Sequence, residues 1–445
     1  MTTPLPTLPQ IIVEAGLLPG TIAQGNTALR LGDATFGKLN TGTLGTTTVY
    51  TDISQWVRGF TITRLSKRLA GPLWNYDAAT ASITLDNSDG RFDPDNLSGP
   101  YVSGGASVLL PMVVVRVRTR FMSVSYANFT GFADGWLPAT VDYQGGYAEL
   151  TLPATDAFKV LAGVTLGTVG GTLGAGENTG ARIARILSDA GWYTSGEWSA
   201  VDTGDSTLQG TSYGDTALNL MQIAADSEIG QLYVNGAGAV VFRHRRALLT
   251  DARSNTPQAV FGDLPGTSHS AGTELACAAL GRAFDDGTLF NDIQPSRVGG
   301  TLQGGIQDAA SIAKYLFPRS YARSDLILTT DADVRNWGNW VLYIGRNGED
   351  RFESLQVDPA ADPVNLWPQV LGREIGDRIQ VWTRPASVPS PVSKDCFIAG
   401  ITHTWDSVAS AWLTTWALQD ASKFGSFMTL DNPTLGKLDA NALVF

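Results

Sequence analysis

The sequence predicts a mainly β protein with an α+β insert, in which two related strand-rich domains flank a helix-helix-hairpin module. Three observations lead to this fold class. The chain has 49 glycines and 21 prolines among its 445 residues, so it is rich in turns. Only 16% of its residues are charged, against roughly 25% in an average globular protein. Finally, a set of short patterns in its first third recurs in its last third.

The recurring patterns predict a structural duplication. The frame Asp-Pro-x-Asn-Leu occurs at residues 93–97 and again at residues 362–366. Three further matches follow in the same order: residues 116–120 with 380–384, Phe129 to Trp136 with Phe397 to Trp405, and residues 151–159 with 415–423. Each match is short, but four matches in one order favour a repeat over coincidence.

Alternating apolar and polar residues predict the strands of the first repeat. Residues 48–53, 60–64 and 79–85 alternate in this way, and the β-branched run 108–117 follows. Between the last two lies an Asp-rich segment, residues 86–97, which we interpret as a structured turn around which the repeat is organised.

A helical segment follows the first repeat. A short helix is expected from Asp156 to Ala162, and residues 163–180, with seven glycines, are expected to form a long loop. Apolar residues at helical spacing predict a helix over residues 181–190, capped by Asn178 or Thr179.

A second helix and a hairpin complete the inserted module. Asp215 is the predicted N-cap of this helix, and Gly230 is the residue expected to end it. Residues 231–243 are predicted to form a hairpin about Asn235-Gly236, a pair that favours the positive φ angles of tight turns.

The remainder of the chain contains the second repeat. Residues 257–286 show no regular period, and strand signals resume at residues 290–293 and around 315–321. A helix over residues 331–345, capped by Asp331, precedes a second strand set over residues 378–418.

These elements divide the chain into five predicted parts. They are an N-terminal arm (1–45), a first strand-rich domain (46–165), an inserted α+β module (166–285), a second strand-rich domain (286–425) and a C-terminal tail (426–445). Both terminal parts lack a sustained period, so we expect them to become ordered on a partner.

Composition excludes several classes of protein. The net charge of −11 opposes tight binding of nucleic acid or an anionic membrane, because phosphate binding needs clustered lysine and arginine. Two cysteines, Cys277 and Cys396, do not make a disulfide framework and favour synthesis in a reducing compartment. No secretory signal is recognised at the N-terminus, and no apolar run approaches the ~20 residues of a membrane span.

The sequence predicts no catalytic, cofactor-binding or metal-binding residues. Asp86, Asp89, Asp93 and Asp95 do not have the spacing of a calcium loop, so we expect these carboxylates to cap their own turn, with a bound cation as the alternative. The three histidines, His244, His269 and His403, lie far apart without a Cys-x-x-Cys motif, which argues against zinc. His403, on an alternating strand, is expected to be a partly buried structural residue.

Three further features have a structural and a functional interpretation. The basic run 243–246 is either a solvated strand end or a contact for an acidic patch on a partner. The strand tryptophans are expected to pack in a core or interface, with a sugar-binding platform as the alternative: Trp136, Trp382, Trp405, Trp412 and Trp416. Glycoside hydrolysis needs only two carboxylates and has no motif to exclude, but the acidic residues are mostly explained as turns and caps.

Two segments resemble a known family. Residues 52–58, Asp-Ile-Ser-Gln-Trp-Val-Arg, and residues 81–94, Ala-Ser-Ile-Thr-Leu-Asp-Asn-Ser-Asp-Gly-Arg-Phe-Asp-Pro, resemble the start of minor tail proteins of long-tailed actinobacterial phages. Residues 214–245 and 400–416 are similar to the same proteins, so that the resemblance spans most of residues 46–425. The connection 64–73 is longer than the family pattern, and the termini match nothing known.

The resemblance implies a tail hub at the distal end of the tail tube, similar to the baseplate hub of contractile phages and related injection machines. Such hubs carry two tube-like β-barrel domains per chain and assemble as homotrimers, so that three chains present six barrels. The duplication in the sequence independently favours a homotrimer of two-barrel chains, because six similar barrels can continue a six-fold tube.

The implied location is the tail tip of the virion, after synthesis in the host cytoplasm. The implied partners are other copies of the chain, the distal tail or tail tube protein, the tape measure protein, and tail fibre or receptor-binding proteins. DNA would pass during ejection without specific binding, and we expect no membrane anchor, no cofactor and no enzymatic activity. The alternatives are a hexameric distal tail protein and, from another class, a tail-associated cell-wall glycosidase or carbohydrate-binding protein.

Overall fold

The fold was analysed in a computed structural model. It describes residues 8–17, 50–65, 72–138, 148–167, 172–192, 196–348, 350–386 and 388–425. The described residues form a large, mainly antiparallel sheet that contains both strand sets, several small sheets, and eight α-helices. The predicted C-terminal tail, residues 426–445, lies outside the described residues.

The first strand set contains ten strands. They are β1 (Gln10–Ala15), β2 (Thr51–Asp52), β3 (Val57–Leu65), β4 (Thr80–Asp86), β5 (Val102–Ser103), β6 (Ala106–Ser107), β7 (Val114–Phe121), β8 (Val124–Ala133), β9 (Leu137–Pro138) and β10 (Glu149–Thr155). The predicted strands at residues 60–64 and 79–85 are confirmed, and along β4 buried side chains alternate with more exposed ones. Of the predicted strand at residues 48–53, the described part forms only β2.

Strand β1 corrects the prediction of an N-terminal arm for residues 10–15, while residues 18–45 of the predicted arm lie outside the described residues. It pairs residue by residue with β7, Val13 and Ala15 are buried, and Glu14 forms ion pairs with Arg116 and Arg118. Six residues are too few to establish a period in the sequence, so this strand becomes evident only from its partner. The segment belongs to the first strand set of its own chain.

The helical part follows, with short strands between the helices. Its elements are α1 (Ala157–Gly163), β11 (Thr165–Leu166), β12 (Glu177–Asn178), α2 (Thr179–Asp189), β13 (Ser199–Val201), β14 (Thr207–Leu208), β15 (Asp215–Thr216), α3 (Ala217–Glu228), β16 (Gln231–Val234), β17 (Val240–Arg243), α4 (Ala247–Thr250) and α5 (Ala252–Asn255). The predicted helices are confirmed, and so is Asn178 as the cap of α2. The cap of α3 is Thr216 rather than Asp215, and Ile229, with φ of 64°, ends that helix directly before Gly230.

The predicted hairpin is confirmed, but its turn is longer than two residues. The Asn235 side chain accepts hydrogen bonds from the N–H groups of Ala237 and Ala239, and the positive φ belongs to Gly238. Gly236 is required for another reason: a Cβ atom there would lie 2.2 Å from the carbonyl oxygen of Ala127 on β8. The hairpin tip therefore packs directly on the first strand set.

Two groups of elements occupy residues 257–348. They are β18 (Val260–Gly262), β19 (Ser268–His269), β20 (Gly272–Ala276), β21 (Ala279–Phe284), β22 (Asp292–Arg297), β23 (Ile306–Gln307), α6 (Ala309–Tyr315), β24 (Ser320–Leu326) and α7 (Asp331–Gly345). The expectation that residues 257–286 are irregular is wrong, because four short strands lie there, between turns that hide their alternation. The bounds of α7 agree with the prediction, but Thr330 caps it, with Asp333 completing a capping box.

The last elements form the second strand set. They are β25 (Asp350–Val357), α8 (Pro363–Gly372), β26 (Arg378–Thr383), β27 (Val392–Asp406) and β28 (Ala411–Asp420). The predicted strand set over residues 378–418 is confirmed. The second Asp-Pro-x-Asn-Leu frame opens α8, where Asp362 is the N-cap, whereas residues 93–97 form turns. These two frames therefore do not share a conformation.

The two strand sets have the same strand order. It is β3-β4-β10-β8-β7-β1 in the first set and β21-β25-β28-β27-β26-β18 in the second. The outermost strands differ in direction, since β1 is antiparallel to β7 while β18 is parallel to β26. Among the described strands no pairing closes either set, so the tube-like barrels stay a prediction.

The strand register aligns the two sets residue by residue. Phe132 lies opposite the first residue of β7 and the last residue of β10. Phe397 lies opposite the first residue of β26 and opposite Gln419 on β28. Matching these two phenylalanines confirms two of the predicted matches, residues 116–120 with 380–384 and residues 151–159 with 415–423.

The same register contradicts the match of Phe129 to Trp136 with Phe397 to Trp405. Leu137 pairs with Thr151 on β10 as Thr402 pairs with Thr415 on β28. Leu137 and Thr402 therefore occupy matching positions. Two residues before them lie Gly135 and Gly400, so Gly135, rather than Gly131, is the counterpart of Gly400. Glycine and aromatic residues recur often in strands, so this pattern suggested a register four residues away from the observed one.

A pair of main-chain hydrogen bonds recurs at matching positions. The N–H of Met112 donates to the carbonyl of Ala133 at 2.8 Å. The N–H of Ala133 in turn donates to the carbonyl of Val113, also at 2.8 Å. In the second set Gly376 and Ile398 make the same two bonds, at 2.8 and 2.9 Å. Both Met112 and Gly376 have positive φ angles, 67° and 87°. The duplication thus includes a strained turn that is glycine in only one copy.

We expect Met112→Gly to raise the free energy of unfolding by about 0.5 kcal/mol. A left-handed conformation costs a non-glycine residue roughly 1–2 kcal/mol, and the greater entropy of unfolded glycine offsets about 0.5–1 kcal/mol of that gain. Urea unfolding measures the change. Gly376→Ala is the matched control and should destabilise, because Gly376 has a φ of 87° that strains any residue with a Cβ. A loss of stability in Met112→Gly would contradict the strain argument.

The predicted boundary between the inserted module and the second strand-rich domain lies between residues 285 and 286. Side-chain packing divides the chain at other places. Strands β18 to β21 pair with the second strand set and pack on a core shared by both sets. Strands β22 to β24 and α7 pack instead on a second core with the helical part. Trp337 of α7 donates to the carbonyl of Asp226 at the end of α3, at 2.8 Å. The helical part is therefore built from two separate stretches of chain. None of the described helices is long and apolar enough to cross a membrane.

Candidate functional site

The two strand sets meet edge to edge where β3 pairs with β27. In this β3–β27 join, residues 59–65 run antiparallel to residues 400–406. Glycine at each end allows the strands to approach, since a Cβ at Gly59 would lie 2.8 Å from the carbonyl of Trp405, and one at Gly400 2.9 Å from that of Arg64. Phe60 packs between the rings of Trp405 and Trp412, at centroid distances of 5.5 and 5.4 Å. The join makes one continuous sheet from two related halves.

An ion pair between a buried arginine and a partly exposed glutamate ties the join to the helical part. Arg64, with a side chain only 4% exposed, places Nη1 2.5 Å from Oε1 of Glu374. The other carboxylate oxygen of Glu374 accepts the N–H of Gly236 at the hairpin tip, at 3.3 Å. One carboxylate therefore connects β3, the segment before β26 and the inserted module.

The basic run is mostly engaged within the chain. Arg243 donates to Asp251 at 2.5 Å, while His244 and Arg246 both contact Asp205. Arg245 differs, because its buried Nε has no hydrogen-bond partner among the described residues, and desolvation lowers its pKa. The run is thus structural at three positions, and a partner's acidic group remains a hypothesis for Arg245 alone.

Arg245 lines a polar pocket of about 320 Å³ between α3, α7 and the loop before β14. Serine and threonine side chains and Asn336 also line the pocket, and Trp337 forms part of its wall. Two carboxylates, Asp205 and Asp333, also line the pocket. This mixture of charges does not select one class of ligand.

The structure brings together one group of potential metal ligands in the described part of the chain. Ligand atoms of Asp205, Glu228 and His244 lie within 4.8 Å of one another. These carboxylates already have hydrogen-bond partners within the chain. Glu228 accepts the N–H groups of Asp205 and Ser206 at 2.9 and 3.2 Å, and the Asp205 carboxylate accepts a hydrogen bond from Arg246. We interpret the group as a structural network. Its members come from three separate segments with no motif spacing, so the sequence alone does not predict it.

The Asp-rich turn is held by its own side chains, as predicted. Asp86 accepts from Ser88 N–H at 3.0 Å, and Asp93 accepts from Asp95 N–H at 2.9 Å. Asp89 pairs with Arg91. Hydrogen bonds from Ser88, and then from Arg58, lower the pKa of Asp86 to about 2. No three of these aspartates converge on one point in the described turn.

One capping interaction of the Asp-rich turn recurs in the second strand set. The register places Asp358, at the end of β25, at the position of Asp86, and each caps the residue two positions ahead. Phe92 is fully buried in the first copy, between the rings of Trp56, Tyr101 and Trp136. The turn therefore closes the end of the first strand set.

His403 is a structural residue, as the sequence predicts, but it is fully rather than partly buried. It lies within the β3–β27 join, fully enclosed, with Nδ1 3.0 Å from Oγ1 of Thr414. Desolvation, followed by the charge of Arg64, lowers its pKa to about 3, so the ring is neutral at physiological pH. His269 contacts Glu274 at 2.8 Å and stacks on Trp382.

The strand tryptophans pack as predicted. Trp136, Trp412 and Trp416 are buried, and Trp405 and Trp382 are partly exposed beside other rings. Three of the five are thus unavailable to a sugar, which weakens the alternative of a binding platform.

Two solved structures are similar to this fold. The tail protein from Neisseria meningitidis MC58 matches with a TM-score of 0.54 at 11% identity, covering 85% of this chain and 95% of that one. The 43 kDa tail protein of prophage MuSo2 from Shewanella oneidensis matches with a TM-score of 0.52 at 13% identity, covering 94% and 98%. The chain has the fold of these two tail proteins. Neither the protein-family models nor the curated protein sequences give a match.

The similarity confirms the predicted fold class, mainly β with an α+β insert. It extends over nearly the whole of both tail proteins, so the two strand sets and the helical part belong to one shared architecture. At 11% and 13% identity the similarity is one of fold. It does not assign roles to individual residues of this chain.

Proposed function

We propose that the chain is a structural protein of a phage tail tip, a tail hub that caps the distal end of the tail tube and forms part of the DNA channel. The observation that carries this proposal is the β3–β27 join, which links two strand sets of the same order into one sheet. Three such chains arranged in a ring would present six similar strand sets. The ring would adapt a six-fold tube to a three-fold tip.

The fold of two tail proteins supports the same conclusion. In this proposal the chain assembles as a homotrimer in the virion and contacts the distal tail or tail tube protein, the tape measure protein, and tail fibre or receptor-binding proteins. Its net charge of −11 suits a channel wall, because DNA passes most freely where phosphates meet few cations. The resemblance of residues 52–58 and 81–94 favours a long-tailed actinobacterial phage.

The test is the number and symmetry of copies in intact tail tips, imaged without imposed symmetry. We expect three copies in one ring, with the two strand sets of each chain at alternating positions. Six copies would overturn the hub and indicate a distal tail protein. Clearing of host cell wall by the purified chain, lost on an Asp-to-Asn change, would instead support the glycosidase.

A further inference from the structure

Among the strand edges that are unpaired in the described part of the chain, those of β21 and β9 have related positions in the two strand sets. Strand β21 pairs only with β25, and strand β9 pairs only with β10. Each edge carries a large exposed apolar side chain, Phe284 at 73% and Leu137 at 54% exposure. Open edges with apolar side chains favour pairing with another strand.

The duplication assigns a counterpart to each open edge. Thr84 and Gln356 pair with matching residues of β10 and β28, so β4 corresponds to β25. Their neighbours β3 and β21 therefore correspond. In the first set the outer edge of β3 is covered by residues 400–406, whereas the same edge of β21 is open.

The second open edge is the counterpart of the strand that covers β3. The register places Gly135 at the position of Gly400, and Leu137 at the position of Thr402. Within one chain, β3 and residues 400–406 meet in the join. Their counterparts, β21 and residues 135–138, do not meet within the chain.

We propose that β21 of one copy pairs with residues 135–138 of the next copy, as an intermolecular repetition of the β3–β27 join. Thr63 and Leu65 correspond to Arg282 and Phe284. Because Thr63 pairs with Thr402 and Leu65 with Gly400, Arg282 lies opposite Leu137 of the next copy, and Phe284 lies opposite its Gly135.

The shapes of the two edges fit this register. In the join, the Leu65 side chain packs so closely over Gly400 that a Cβ there would lie 2.7 Å from Cδ2 of Leu65. Gly135 is the counterpart of Gly400, and among the described residues a Cβ there would have only Cδ2 of Leu137 within 4 Å, at 3.6 Å. The Phe284 ring of another copy can therefore occupy the space above Gly135.

Such an interface is head-to-tail, so it forms a closed ring when the rotation between copies is a simple fraction of a turn, and otherwise an open filament. The three-copy ring rests on the proposed function, whereas the pairing of the edges does not. The occupant is a second copy rather than a different protein, because the complementary edge is present on this chain.

The experiment is disulfide cross-linking of assembled tail tips that carry Arg282→Cys and Leu137→Cys together, in a Cys277→Ser background. We expect oxidation to give a ladder that ends at three chains. Either cysteine alone is the first control and should give no ladder. Leu137→Cys with Val408→Cys is the second, because Val408 is 87% exposed on a turn away from both edges. A closed ladder with the edge pair and none with the controls supports the proposal.

Phe284→Asp provides a test that does not require oxidation. Since Phe284 is exposed in the single chain, the variant should keep the secondary structure and unfolding midpoint of the wild type while losing at least tenfold in ring assembly. Val408→Asp is its control and should assemble normally. Three copies in the tip without the cross-link, or normal assembly of Phe284→Asp, would overturn the edge pairing and leave the hub intact. A cross-linked ladder that ends at six or does not end would support the pairing and overturn the hub.

Discussion

Glu374→Ala is expected to lower the free energy of unfolding by about 3 kcal/mol, because removing the carboxylate leaves a buried arginine charge unpaired. The charge left behind is Arg64, which is almost wholly buried and whose Nε has no hydrogen-bond partner among the residues that the structure describes. The N–H groups of Gly236 and Ile375 lose their acceptor as well. Urea unfolding measures the loss.

Asp286→Ala is the matched control for Glu374→Ala. It removes the partner of Arg319 in an ion pair at 2.7 Å, but both side chains are about half exposed or more, so the expected change is under about 1 kcal/mol. Glu374→Gln should fall between the two, since its amide oxygen can still accept one N–H. If Glu374→Ala and Asp286→Ala cost the same, the ion pair does not hold the two strand sets to the inserted module.

Local structure could be predicted from the sequence wherever the residues that determine it lie within one short segment. The bounds of α7, the Asn178 cap of α2 and the strand at residues 60–64 follow from periodicity and capping residues that lie within a few positions of one another. The short strands β18 to β21 could not be predicted in this way. Each is stabilised by its neighbours in the sheet, and two to six residues do not establish a period.

The duplication was predictable in outline but not in register. Matches at residues 116–120 and 151–159 identify the correct partners because each falls on one strand of each set. The predicted match of Gly131 with Gly400 is displaced by four residues, because only the pairing of Phe132 with both neighbouring strands fixes the position. Sequence similarity between strands is weaker evidence than hydrogen-bond register.

The residues that connect the parts of the molecule were not evident from the sequence. Arg64 and Glu374 are separated by 310 positions, and Asp205, Glu228 and His244 come from a loop, a helix end and a strand end. Such contacts depend on how distant segments pack, which no local pattern encodes. What the sequence does indicate is which carboxylates are explained locally, as at Asp86 and Asp93.

Asp156 is expected to make the stability of the protein depend on pH. It is the N-cap of α1 and accepts the N–H groups of Phe158 and Ala79, at 2.9 and 2.7 Å. Burial outweighs these bonds and raises the pKa of Asp156 to about 7. Because the folded state holds this proton more tightly than the unfolded state, its contribution to stability is complete below about pH 4 and decreases as the pH rises to about 7. The decrease approaches about 1.4 kcal/mol per pH unit.

Asp156→Asn should remove this dependence, because the amide does not titrate. At pH 5 the variant should be less stable than the wild type, since one of its two N–H partners faces the amide nitrogen. By pH 8 we expect the difference to shrink or reverse, as measured by urea unfolding at intervals of one pH unit. Asp86→Asn is the control: hydrogen bonds lower the pKa of Asp86 to about 2, so its contribution is lost only as the pH falls below about 4. A constant difference between Asp156→Asn and the wild type from pH 5 to pH 8 would show that Asp156 is ionised throughout, and that its two N–H donors outweigh its burial.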